Sequence, residues 1–234
     1  GTIQFLWVES NPSVVPSGHL RGVDGLTFIG LVSGTHFDTV DAAGLGSVVF
    51  SNYEAIGIAS SFGGLLSRAE LDGLIARSAD IASFINAGGG LFASAECFPC
   101  GANLLAGSSA PNLFGYLPVS VTSIGANPPF SVTAFGAGLG LTNADVNDPT
   151  HNSFGLVGGL NIVDTDAAGN ATTLAGVVTV GGGGFNPVPE PLTFSLVGIG
   201  LAGMAVFRKL NNWGQRVGCI SEASYTKYLL NIQA

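Results

Sequence analysis

The chain has 234 residues and a formal net charge of −8, with 7 Lys or Arg against 15 Asp or Glu. An acidic balance of this kind repels nucleic acid and anionic lipid surfaces, so a nucleic-acid partner is not expected. Charged residues make up only 9%, apolar residues 47%, and 36 residues are Gly, which excludes charge-driven disorder and predicts a packed core with many tight turns.

Residues 3–8, Ile-Gln-Phe-Leu-Trp-Val, form an apolar run ending in Glu9-Ser10-Asn11-Pro12, the pattern of a strand buried on both faces that feeds a loop. An amphipathic stretch over 23–32 follows, then strands over 37–40 and 53–59, the latter closed by Ser60-Ser61-Phe62-Gly63-Gly64. Ser67 and Glu70 have capping-box spacing, in which each side chain satisfies the other residue's free backbone N–H. Leu71, Leu74, Ile75, Ile81, Ala82 and Ile85 then recur at three- and four-residue steps. This predicts one helix running from Ser67 to the Gly88-Gly89-Gly90 stop. Leu91-Phe92-Ala93-Ser94-Ala95 reads as a fourth strand leading into Glu96-Cys97-Phe98-Pro99-Cys100. Strands alternating with helices predict an α/β fold with a parallel sheet covered on both faces. Ligands of such sheets bind beyond the carboxyl ends of the strands, where this sequence offers Glu9, Ser10, Asp41, Ser60, Glu96 and Cys97.

Residues 53–59, the helix begun by Ser67, and the run from Asp80 through Gly88-Gly89-Gly90 to Ala93 resemble the flavodoxin-like core of class I glutamine amidotransferase-like domains. The resemblance covers about residues 1–100. It implies a three-layer domain with the nucleophile position just after the fourth strand, at Cys97, and a later His as its base, for which His151 is the candidate. Two features depart from that pattern. The Gly-x-Cys-x-Gly turn is replaced by Ser94-Ala95-Glu96-Cys97-Phe98-Pro99, and His151 stands in Asp148-Pro149-Thr150-His151-Asn152 without a following His-x-Glu. A non-catalytic structural or binding module is therefore the first expectation, with a Cys-His hydrolase as the alternative. In an oxidising compartment Cys97 and Cys100 are expected to close a disulfide, with a thiol redox pair as a further reading. No metal or cofactor is expected: two nearby thiols with His19, His36 and His151 make a poor zinc set, and Asp145, Asn147, Asp148 and Asn152 lack calcium-loop spacing and read as turn formers.

The second half is richer in β pattern, with strands expected over 116–122, 130–134, 160–163 and 172–180, and residues 164–170 as a hairpin loop. Residues 1–180 are read as one domain, a parallel α/β core with a β-rich C-terminal extension.

A Gly/Pro joint over 181–191 ends in Val188-Pro189-Glu190-Pro191; residues 192–207 then carry no charge, and Arg208-Lys209 follows. As a helix the uncharged run reaches about 24 Å, short of the roughly 30 Å hydrocarbon core, and the two cations can snorkel to headgroups to extend it. Up to residue 207 the chain holds three basic residues against fourteen acidic ones, whereas Arg208, Lys209, Arg216 and Lys227 face only Glu222 beyond it. The positive-inside rule then puts residues 210–234 in the cytoplasm as a tail without an assigned role. This arrangement of Pro-Glu-Pro, apolar helix and basic stop resembles the bacterial PEP-CTERM sorting signal. The resemblance implies export, transient anchoring in inner-membrane lipid, processing by an exosortase, and delivery to the cell surface or an exopolysaccharide matrix.

Overall fold

The computed structural model describes residues 5–10, 22–61, 65–95, 113–126, 128–146, 152–176 and 226–230, the last stretch and residues 122–124 as backbone alone. Its first half is built on four parallel strands, β1 (Phe5–Val8), β2 (Phe37–Val40), β3 (Ala55–Ile58) and β4 (Gly90–Ala95), in the order β2-β1-β3-β4. The α/β parallel sheet expected from the alternating pattern is present. Every residue of β1 and β3 is buried, as continuous apolar runs require when both faces of a sheet are covered.

The two-residue strand period divides this core in two. Leu6, Val8, Ile56, Ile58, Leu91 and Ala93 pack on one face with Leu45, Leu71, Leu74, Ile81 and Ile85, which lie on α2 (Ala42–Leu45), α3 (Arg68–Ala76) and α4 (Ser78–Asn86). Phe5, Trp7, Phe37, Ala55 and Ala59 pack on the other face with Leu26 of α1 (Val23–Phe28). Opposite faces follow from topology. The chain moves one way from β1 to β2 and the other way from β2 through β3 to β4, and crossovers of constant hand then cover opposite sides.

The capping box at Ser67 is formed: the Ser67 N–H donates to Glu70 Oε2 at 2.9 Å, and the Ala69 N–H donates to Ser67 Oγ at 3.2 Å. The single helix expected over 67–88 is instead two, broken at Arg77, whose backbone sits at φ −101° and ψ 16°. Its guanidinium holds the break in place. Nη1 donates to the carbonyls of Leu45 and Val48, each at 2.7 Å, Nε donates to Asp80 at 2.9 Å, and the group lies 4.1 Å above the Phe50 ring. These partners lie about thirty residues earlier for the carbonyls, beyond the reach of helical periodicity.

The second half contributes β5 (Val121–Gly125), β6 (Ser131–Val132), β7 (Asn152–Val157), β8 (Asn161–Thr165) and β9 (Ala171–Gly176), joined by antiparallel pairings. The β-rich extension is thus present, with three local differences from the sequence reading. The strand expected over 130–134 is confined to Ser131–Val132, because Thr133 turns the chain into α5 (Ala134–Gly138) by accepting the Gly136 N–H on its hydroxyl. The strand expected over 116–122 begins only at Val121, and β7 arises where none was expected. The hairpin over 164–170 is held by Asp166, whose Oδ1 accepts the N–H groups of Ala168 and Asn170 at 2.9 and 2.8 Å.

Of the stretch 210–234, Thr226–Leu230 forms β10, antiparallel to β4 and parallel to β9, which joins the two halves into one sheet. Among the described residues no helix is long and apolar enough to cross a membrane. Val188, Pro189, Glu190, Pro191, the run 192–207, Arg208 and Lys209 lie outside the described residues.

Candidate functional site

The carboxyl ends of the parallel strands form one rim. Val8 of β1 is in register with Val40 of β2 and with Ile58 of β3, and Ile58 is in register with Ala93 of β4. Glu9, Asp41 and Ala59 therefore emerge at one level, the first two tied by Glu9 N–H to Val40 carbonyl at 3.0 Å and the last by Ala59 N–H to Val8 carbonyl at 3.1 Å. The switch point of the topology falls between β1 and β3, where adjoining connections leave in opposite directions. Glu9, Ser10 and Ser60 follow the two strands that border this point, while Asp41 follows the edge strand β2, one strand away.

Most of the polar groups on this rim are committed to holding the backbone. Asp41 Oδ1 accepts the Gly44 N–H at 3.0 Å as the N-cap of α2, and Ser94 Oγ donates to the Ile58 carbonyl at 3.3 Å. The Ser10 N–H donates to the Leu65 carbonyl at 2.6 Å and the Leu66 N–H to the Ser60 carbonyl at 3.0 Å, closing the loop beyond β3 against the end of β1. Ser60 and Ser61 are fully buried.

Glu9 stands apart. It is 1% exposed, and its Oε2 accepts the Trp7 indole N–H at 2.7 Å and the Val23 N–H at 2.9 Å. Residues i and i+2 of a strand share a face, which puts Trp7 and Glu9 together on the α1 side. Gly22 packs directly on the carboxylate: a Cβ there would lie 2.3 Å from Oε2. Gly57 likewise makes room for the Trp7 ring, since its Cβ would come within 2.4 Å of Cε3, and Phe92 stacks on the same indole at 6.3 Å between centroids. Burial is the main force on Glu9 and lifts its pKa from 4.5 to about 7, with nearby Asp24 pushing the same way and the bonds from Trp7 and Val23 opposing. With both donors on Oε2, the proton belongs on Oε1. Asp24 Oδ1 accepts the Gly22 and Gly25 N–H groups, each at 2.9 Å, while Oδ2 is buried with no hydrogen-bond partner among the described residues.

Glu70 is a second buried acid, and its work is structural. Besides completing the capping box, its Oε1 accepts the Ala42 N–H at 2.8 Å, which clamps the start of α2 to the start of α3. Trp7, Asp24 and Glu70 were absent from the expected rim. The i,i+2 spacing of Trp7 and Glu9 was a readable signal for the first, whereas the Asp24 and Glu70 contacts depend on chain segments brought together by folding.

No protein-family model, curated protein or solved structure matches the chain. Among the described residues no three His, Cys, Asp or Glu side chains are grouped to hold a metal ion. Glu96, Cys97 and Cys100, which continue the chain beyond Ala95 of β4, lie outside the described residues, as do His19 and His151. The strands that flank the proposed Cys97–His151 pair are described, and β10 and β9 stand between them. Three strand spacings, about 14 Å, separate β4 from β7. Any Cys97–His151 contact would have to be made by loops bridging that distance.

Proposed function

We propose that the chain is an exported bacterial surface protein of the PEP-CTERM type, anchored briefly in the inner membrane and passed by an exosortase to the cell surface or an exopolysaccharide matrix, where its domain serves as a structural or binding module. The observation that carries this reading is the order of parts at 188–209: Val188-Pro189-Glu190-Pro191, an uncharged run, then Arg208-Lys209, all following a folded domain. The finer fold reading is flavodoxin-like and akin to class I glutamine amidotransferases. It draws support from the strand order β2-β1-β3-β4 and from helices on both faces of the parallel sheet. A non-catalytic role fits a rim whose Asp41, Ser94 and Glu9 are bonded to neighbouring backbone or to Trp7.

The sorting reading is tested by changing Pro189, Glu190 and Pro191 together to Ala in a host that carries an exosortase. An uncut, membrane-held form should accumulate; release into the medium equal to that of the unaltered chain would overturn it.

One observation favours a second reading, an envelope Cys-His hydrolase: β4, the neighbour of β3, delivers the chain to the rim at Ala95, two residues before Cys97. Thiol counting separates the two. Two thiols that appear only after reduction support a Cys97–Cys100 disulfide and the structural module, whereas one hyper-reactive thiol at neutral pH supports catalysis.

A further inference from the structure

β10 pairs along its whole length with β4, from Thr226 opposite Ala95 to Leu230 opposite Leu91, and from Lys227 onward with Thr173–Gly176 of β9. With β10 between them, residues 226–230 stand on the same side of any membrane as the folded domain. The connection from β9 to β10 is residues 177–225, and the uncharged run 192–207 lies inside it. One crossing of the hydrocarbon core takes about 20 helical residues, so this run supplies at most one. A return would fall to residues 208–225, which contain Arg208, Lys209, Arg216 and Glu222, charges that hydrocarbon does not accept. A single crossing leaves residues 226–230 on the far side. Spanning the membrane and completing the sheet therefore exclude each other.

We propose that the interval between β4 and β9 is a strand-binding slot, occupied by residues 226–230 when the 192–207 run is out of the membrane and emptied when that run is anchored. This inference rests on the sorting reading, which supplies the competing state. With β10 withdrawn, β4 and β9 face each other across two strand spacings, roughly 10 Å, with backbone N–H and C=O groups unpaired on both edges. Anchoring thus empties the slot, and filling the slot opposes anchoring.

The test uses the full chain with Cys97, Cys100 and Cys219 changed to Ser. One variant adds Ala95→Cys with Thr226→Cys, and another adds Ser94→Cys with Lys227→Cys, both register pairs of β4 and β10. Adjacent antiparallel pairs alternate between hydrogen-bonded and non-hydrogen-bonded types, so the two variants cover both geometries. At least one should close a disulfide in the membrane-free chain. Flotation with phosphatidylethanolamine and phosphatidylglycerol vesicles should then recover the oxidised variant about tenfold less than the same variant after reduction. Recovery of both forms equally in the floated fraction, or failure of both pairs to close, overturns the slot alone. A reduced chain that stays out of the vesicles overturns the sorting reading and the slot with it.

Discussion

The parallel half and the antiparallel half of the sheet solve burial differently. In β1 and β3 every residue is buried, and the apolar runs pack helices on both faces. In β7 and β8 only part of each strand is buried, and Leu156 of β7 is 47% exposed. The acids differ in the same way. Glu9 sits in the covered half under Gly22 and Trp7 with a raised pKa, whereas Asp166 sits at a hairpin bend and serves local backbone N–H groups. Two covered faces make a strand's contacts long-range, while hairpins can be held by their own turn.

The strongest way to break this comparison is to truncate a leucine in each half. Leu71→Ala on α3, where the side chain is fully buried against the parallel sheet, should cost about 2–5 kcal/mol. Leu156→Ala on β7 should stay within about 0.5 kcal/mol, as an exposed position does. Urea unfolding of the full chain measures both, and equal losses would erase the distinction.

Glu9→Gln sharpens the comparison through pH. The folded-state pKa of about 7 lies above the ordinary 4.5, so in the window between them the unfolded chain ionises first and the wild-type fold loses stability as pH rises. At about 1.36 kcal/mol per unit the full loss is about 3 to 3.5 kcal/mol and is complete about one unit above pH 7. The glutamine variant keeps acceptors for the Trp7 and Val23 N–H groups and lacks this loss. The wild-type-minus-variant difference in unfolding free energy should therefore fall by about 3 kcal/mol between about pH 4 and 8 and stay level above that; a difference constant with pH would contradict the buried carboxyl.

The smallest effect compares helix caps. Ser67→Ala removes the α3 cap and should cost about 1 kcal/mol. Thr133→Ala should cost about 2 kcal/mol, at the top of the capping range, because the Thr133 hydroxyl also reaches the carbonyls of Ile162 and Val163 on β8 at 2.5 and 3.0 Å. Thermal unfolding of the two variants ranks them, and a larger loss for Ser67→Ala would reverse the assignment.

Much of the parallel half could be read from the residues, since its signals are local. The runs at 5–8 and 55–58, the Ser67–Glu70 box, and the Gly-Gly-Gly stop before β4 each act within one or two turns of chain. From the site, Glu9, Ser10, Asp41 and Ser60 could be placed on the rim by the rule for strand ends. The burial of Glu9 could not, because it depends on Gly22 and Val23 arriving from α1. The antiparallel half was harder to read. In β7 the segment Asn152-Ser153-Phe154-Gly155-Leu156-Val157 has weak alternation and owes its place to β5 and β9.

By itself the sequence determined the α/β class, the start of α3, the polar inventory of the rim and the order of parts at 188–209, because propensity, capping and hydrophobic period operate between near neighbours. Only the tertiary structure decided the break at Arg77, the clamp of Glu70 on α2, the lifted pKa of Glu9 and the position of β10. Each of these depends on groups far apart in the chain being packed or bonded together, where burial and geometry rather than composition set the energy.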